Sequence, residues 1–161
     1  MKLDRSKREF LRHIVSTVAY RGAKVIRNAP ETFGDFKIGE TTKTPLQILS
    51  HMGDLFAWAL SQAEGNEIWE DSKTLDWNKE SERFFNTIRE FDEYLVSDKP
   101  FYAPADKLFQ GPIADALTHV GQIAMLRRLA DSPIKGENYF KAGVKIGHVS
   151  SEQEDPPYEF D

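Results

Sequence analysis

The chain contains no cysteine. Disulfides, thiolate catalysis and cysteine-based zinc or iron–sulfur sites are therefore excluded, and nothing marks a secreted disulfide scaffold. Long hydrophobic runs are also missing, so no segment is expected to span a bilayer. The N-terminal stretch MKLDRSKREFLRHIV is charged and amphipathic, without the unbroken apolar core of a signal peptide. A soluble cytoplasmic protein with no membrane partner is expected. Positive charge is in deficit, with 21 Lys and Arg against 26 Asp and Glu and a net charge of −5. The basic residues are spread over the whole length, whereas phosphate binding needs a concentrated basic face; nucleic acid is not expected as a partner. There is no phosphate-cradling glycine loop, no G-x-S-x-G elbow and no H-E-x-x-H. Internal repeats, low-complexity tracts and alternating runs long enough for a sheet are absent too.

What remains is a chain of 161 residues with eleven Phe and three Trp, enough to fill one sizeable core. Four segments have helical periodicity. The first spans about Asp4 to Arg27, with Phe10, Ile14, Val18 and Val25 as its apolar line and Asn28-Ala29-Pro30 as its stop. The second opens at Thr44-Pro45-Leu46-Gln47, an N-cap, a proline at the first helical position and a glutamine placed to close a capping box. Its buried face is Ile48, Met52, Leu55, Phe56 and Ala59, and Gly65 lies beyond its end. The third covers about Trp77 to Val96, where Phe84, Ile88, Phe91 and Leu95 repeat at the spacing of a bundle seam. The fourth begins near Leu108 or Pro112 and runs to Leu129, with Ile113, Leu117, Val120 and Ala124 inward. The connections Glu31–Lys43 and Glu64–Asp76 carry the aromatic anchors Phe33, Phe36 and Trp69. The expectation is an all-α protein, a four-helix bundle forming a single domain over 1–161, with a short C-terminal extension and an acidic tail at 148–161.

Four histidines are present. Asp115 and His119 are four residues apart in the fourth segment and therefore share one helix face. A carboxylate and an imidazole stacked this way either share a metal ion or form a hydrogen-bonded pair. His51 adjoins the Ile48–Met52–Leu55 stripe and points to the bundle interior or its margin. Together His51, Asp115 and His119 would supply two imidazoles and one carboxylate, with open positions for water and substrate. His13 reads as a surface residue, and His148 near the tail has no assigned role. Gly121 reads as a point of close helix approach, and Gln122 shares the His119 face. Arg127 and Arg128 complement the helix dipole. Trp58 reads as a core residue rather than a pocket wall.

The context ILSHMGDLFAW, the segment THVGQIAMLRRLA and the following GENYF resemble the DinB/YfiT-like superfamily of metal-binding four-helix bundles. The agreement covers most of the chain in helix order and spacing, and His-x-Gly-Gln and GENYF are its most specific parts. The resemblance implies a site of three histidines, one from the second helix and an H-x-x-x-H pair from the fourth. Carried over, His51 matches the first position and His119 the last; Asp115 stands where the middle histidine is expected. A divalent ion held by two His and one Asp is implied, with Zn, Ni, Fe and Mn all compatible.

For function, the resemblance implies a metal-dependent enzyme acting on a small molecule. Thiol S-transfer, with a low-molecular-weight thiol as substrate, is the preferred reaction, and a metal-dependent hydrolase is an alternative. A non-catalytic stress-response or binding module with a degenerate metal site is another, favoured by the aspartate at 115. Pairing as a homodimer through helix faces is expected in any of these cases.

Overall fold

Asp4 starts the first helix. Its carboxylate accepts from the Ser6 N–H, and α1 then runs over Arg5–Ile26. The computed structural model describes residues 4–160; the first three residues of the charged N-terminal stretch and Asp161 of the tail lie outside them. Within α1 the buried seam is Leu11, Val15, Val18, Gly22 and Val25; it keeps Val18 and Val25 of the expected line and takes Leu11 and Val15 in place of Phe10 and Ile14. Phe10 is 65% exposed. The observed seam alternates steps of four and three, and it includes Gly22, where an added Cβ would lie 2.8 Å from the Phe84 ring.

Helix α2, Pro45–Glu64, begins with both bonds of the expected capping box. Thr44 accepts from the Gln47 N–H, and the Gln47 side chain accepts from the Thr44 N–H. Gly65 ends it in the left-handed region at φ 78°. Helix α3, Trp77–Val96, buries Phe84, Ile88, Phe91 and Leu95 as its periodicity predicts. The fourth segment is not one helix. A short α4, Ala105–Leu108, passes through a π-helical turn, Phe109–Ile113, into α5, Ala114–Leu129. Pro112 has no N–H to give and its ring crowds the preceding turn, and Gly111 absorbs the break with non-helical φ −91°, ψ −106°. Leu117 and Ala124 are only partly buried; Ile113, Ala116, Val120, Ile123 and Leu126 fill the core.

Long-range bonds define the helix directions. Arg8 at the start of α1 meets the end of α3 through Tyr94 O and Ser97 O, so α1 and α3 are antiparallel. Arg127 at the end of α5 meets Val25 O and Arg27 O at the end of α1, so these two are parallel. Arg83 bonds Ser50 and Asp54 while Tyr94 approaches Ala63 O, so α2 and α3 are parallel. Helix α2 packs on α3 and α5, and so does α1, which places α1 and α2 across a diagonal. A parallel neighbour requires the chain to return along the bundle. A 20-residue helix is about 30 Å long, and the connection 65–76 makes that return between α2 and α3.

Two buried arginines close helix ends that are not their own. Arg8 donates to Tyr94 O, Leu95 O, Ser97 O and Lys99 O, and Arg127 to Val25 O, Arg27 O and Asn28 O. These carbonyls belong to the last turns of α3 and α1 and the chain just beyond, where partners inside the helix run out. Arg127 thus does more than complement its own helix dipole, as its sequence position suggested. Burial holds its guanidinium below the ordinary arginine value.

The C-terminal extension returns to α1. Residues Gly136–Glu137 (β1) and Glu159–Phe160 (β2) form a two-residue antiparallel pair. Buried Glu137 accepts from Tyr20 Oη at 2.5 Å and from Lys24 Nζ at 2.9 Å, and Lys24 also reaches Glu159 at 2.8 Å. Arg21 lies 3.8 Å from the Tyr139 ring centroid. The stretch GENYF is therefore a docking motif for the extension, and the acidic tail is partly tied down. Among the described residues, no helix is long and apolar enough to cross a membrane.

Candidate metal centre

Helix α2 supplies one imidazole and α5 one imidazole and one carboxylate. His51, in the second turn of α2, meets the first two turns of α5. His51 Nε2 lies 3.5 Å from Asp115 Oδ2, and His119 Nε2 lies 3.4 Å from Asp115 Oδ1. One ligating atom from each residue falls within 4.8 Å of the others. The two imidazole rings meet edge to face at 4.9 Å. A tetrahedral ion with bonds of about 2.1 Å keeps its ligand atoms about 3.4 Å apart. Each imidazole lies at about that distance from one oxygen of Asp115, His51 from Oδ2 and His119 from Oδ1, so closing on a single ion asks for a small rotation of the carboxylate.

Proton bookkeeping points the same way. His119 Nδ1 is 2.8 Å from Gln122 Oε1, an acceptor, which in the neutral ring favours the Nδ1–H tautomer, whose Nε2 presents a lone pair. That lone pair faces an acceptor-only carboxylate oxygen. Two acceptors at this distance attract only through a cation or an added proton between them. Gln122 also orients the ring, as outer partners of ligating histidines do. The donor set, two nitrogens and one oxygen, suits the borderline divalent ions. The side chains of His51 and His119 are 24% and 14% exposed, and that of Asp115 is 46% exposed. The cluster therefore lies at the bundle margin, open on the aspartate side.

The return connection passes over this site. Trp69 packs its ring 5.6 Å from His51 and 5.8 Å from Trp58, both edge to face. Trp58 is not a core tryptophan. It is half-buried and lines a recess of about 390 Å³ together with Gln110, Gly111, Asp115 and Thr118. Its Nε1 is buried without a hydrogen-bond partner. A second recess of about 440 Å³ opens beside His119 and Gln122.

A buried charge network holds the connection in place. Arg83 donates to Glu80 Oε2 and Asp54 Oδ1, each at 2.8 Å, and to Ser50 O at 2.6 Å. The second oxygens of the same carboxylates accept from the backbone of the connection, Asp54 Oδ2 from Ser72 N and Glu80 Oε1 from Leu75 N. Gly53 makes room: a Cβ there would lie 2.9 Å from the Arg83 guanidinium. Burial works against the Arg83 charge, but its bonds to Glu80 and Asp54 outweigh it and raise its pKa. None of this was anticipated from the sequence. A signal existed in Glu80, which precedes Phe84 by one step on the α3 stripe; a carboxylate in a core register needs a cation.

The remaining histidines stay apart. His13 is exposed on α1, and His148 is half-buried in the C-terminal extension. No helix closes on Gly121, where an added Cβ would meet nothing within 4 Å. Comparison with protein-family models, curated proteins and solved structures finds no match to this chain.

Proposed function

We propose that His51, Asp115 and His119 hold one divalent metal ion and that the protein uses it to transfer a low-molecular-weight thiol to a small electrophile. The observation carrying this reading is the convergence of two imidazole nitrogens on the Asp115 carboxylate at 3.4 and 3.5 Å, with His119 Nδ1 in hydrogen-bond contact with Gln122. The likeness of His-x-Gly-Gln and GENYF to the DinB/YfiT-like bundles supports the same assignment. The ion supplies Lewis acidity that lowers the pKa of a thiol or water near neutral pH.

The residues around it have separate tasks. Asp115 contributes one negative charge to the donor set, and the neutral imidazoles add none. Gln122 orients the His119 ring and favours the tautomer whose Nε2 lone pair faces the ion. Trp69 and Trp58 screen the His51 side from bulk water, which strengthens electrostatic interactions there. In the transfer, the thiol gives its proton to solvent and its sulfur forms a bond to the electrophilic carbon. The bond from that carbon to the leaving group breaks, and the leaving group departs with the electron pair.

The test is direct. Protein produced in medium supplemented in turn with Zn, Ni, Fe and Mn is assayed for bound metal, and thiol loss is then followed against epoxide and alkyl halide electrophiles. One ion per chain, lost in His119→Ala, together with metal-dependent thiol consumption supports the proposal. Wild-type protein without stoichiometric metal removes it. Metal without turnover returns the chain to the binding-module class.

A further inference from the structure

The recess beside His119 differs in chemistry from the one beside Asp115. Ile48 and Leu126, both buried, form its floor, and Ile38, Met125 and Leu129, each about half-exposed, rise around it. Large apolar side chains converging at the surface mark a binding site more often than a solvated face. Its volume of about 440 Å³ falls within the range of small-molecule sites, about 300–1,000 Å³. One charged residue lines it, Lys43, which precedes the N-cap of α2 and makes no ion pair among the described residues. The opposite end reaches His119 and Gln122. The Gln122 Oε1 is engaged by His119, which leaves the amide N–H2 of the same group to a ligand oxygen.

We infer that this groove is the binding site of the second reactant, an amphiphilic small molecule whose hydrocarbon skeleton lies on Ile48 and Leu126 and whose anionic group pairs with Lys43. The chemistry assigned to the ligand rests on the metal reading above; the binding itself does not. Apolar burial supplies affinity that grows with chain length, and Lys43 selects the charge of the far end. The groove ends at His119, so a skeleton seated in it places its other end beside the candidate centre, within reach of the Gln122 amide. The recess on the Asp115 side, with Gln110 and Thr118 among its residues, is the more polar of the two and suits a small hydrophilic thiol. Two reactants would then approach the same three side chains from opposite ends of one α5 turn.

The probes are hexanoate, octanoate, decanoate and 1-octanol, titrated into metal-free protein and followed by ¹³C-methyl NMR. The expected result is shifts confined to the methyls of Ile38, Ile48, Met125, Leu126 and Leu129. Affinity should rise about three- to fourfold per added methylene. Lys43→Gln should weaken octanoate several-fold and leave 1-octanol unchanged, and Met125→Asp, at an exposed position, should abolish both. Shifts elsewhere, no dependence on chain length, or a Lys43→Gln effect equal for the two head groups would overturn the assignment. So would movement of the same methyls on dilution of the protein alone, which would make a second copy the occupant. Ion retention is measured separately. Lost ion binding with intact octanoate binding removes the metal reading only, and the converse removes the groove assignment only.

Discussion

Gln122 Oε1 lies 2.8 Å from His119 Nδ1, and that contact favours the tautomer whose Nε2 lone pair faces Asp115. Gln122→Leu removes the acceptor and keeps the volume, so the ring loses that preference. Metal affinity should fall about 10- to 100-fold, the usual cost of losing an outer-shell partner. Competition against a chromophoric chelator measures it, and an unchanged affinity would show that Gln122 does not set the tautomer. Two glycines separate by the same kind of local reasoning. Gly121 sits in the exposed middle of α5 with open space at its Cβ, so Gly121→Ala should stabilise the chain by about 0.5–1 kcal/mol. A Cβ added at Gly22 would lie 2.8 Å from the Phe84 ring, and Phe84 is fully buried, so Gly22→Ala should cost about 1–3 kcal/mol through overpacking. Urea unfolding of both variants checks the opposite signs. At this scale His51, Asp115 and His119 were legible because helical spacing and neighbouring core positions constrain where a polar side chain goes. Arg127 was not: its partners are carbonyls about a hundred residues away, which no local pattern records.

Among the elements, the C-terminal extension has the clearest pH dependence. The Lys24 ammonium holds the Glu159 carboxyl below the usual carboxylate range through their hydrogen bond. Lys24 itself is disfavoured by burial, yet its bonds to Glu159 and Glu137 carry it above the ordinary lysine value. Burial, reinforced by the bond to Glu137, pushes the Tyr20 hydroxyl well up. A depressed acid stabilises the docked state above its unfolded pKa, and that contribution is lost as pH falls through the folded value. A raised lysine or tyrosine contributes fully below its unfolded pKa, and the contribution is lost as pH rises toward the folded one. Docking should therefore be firmest between about pH 4 and about pH 10. Amide exchange at Asn138, whose N–H donates to Tyr158 O across the strand pair, reads it over that range, and protection unchanged at pH 3 would remove Glu159 from the latch. Helices α2 and α3 were legible because capping residues and a single unbroken seam agree. In α1 two apolar lines compete, and Phe10 belongs to the wrong one. In the fourth segment the π turn was hidden because Pro112 is as compatible with a helix start as with a break.

At the scale of the whole molecule, helix order was legible but helix direction was not, because hydrophobic periodicity is the same whichever way a helix points. The parallel α2–α3 pair forces the connection 65–76 back along the bundle, and that route puts Trp69 on His51. The site's cover is thus a consequence of topology, while its three polar residues come from two antiparallel helices. The core is complete without them: Leu49, Met52, Phe56, Phe84, Ile88, Phe91 and Ile113 are fully buried. The bundle should therefore remain folded when chelator is added, unlike small domains that fold only around their metal. A bound ion adds stability by mass action. At free metal 100-fold above Kd the gain is about 2.7 kcal/mol, which for a chain of this size raises Tm by about 5–10 °C. Asp115→Asn and His119→Ala alter marginal side chains, so they should leave the metal-free Tm within about 1–2 °C and abolish the increment. Differential scanning calorimetry with and without metal separates the cases. Unfolding on chelation would make the ion structural, and an increment that survives both substitutions would place it elsewhere.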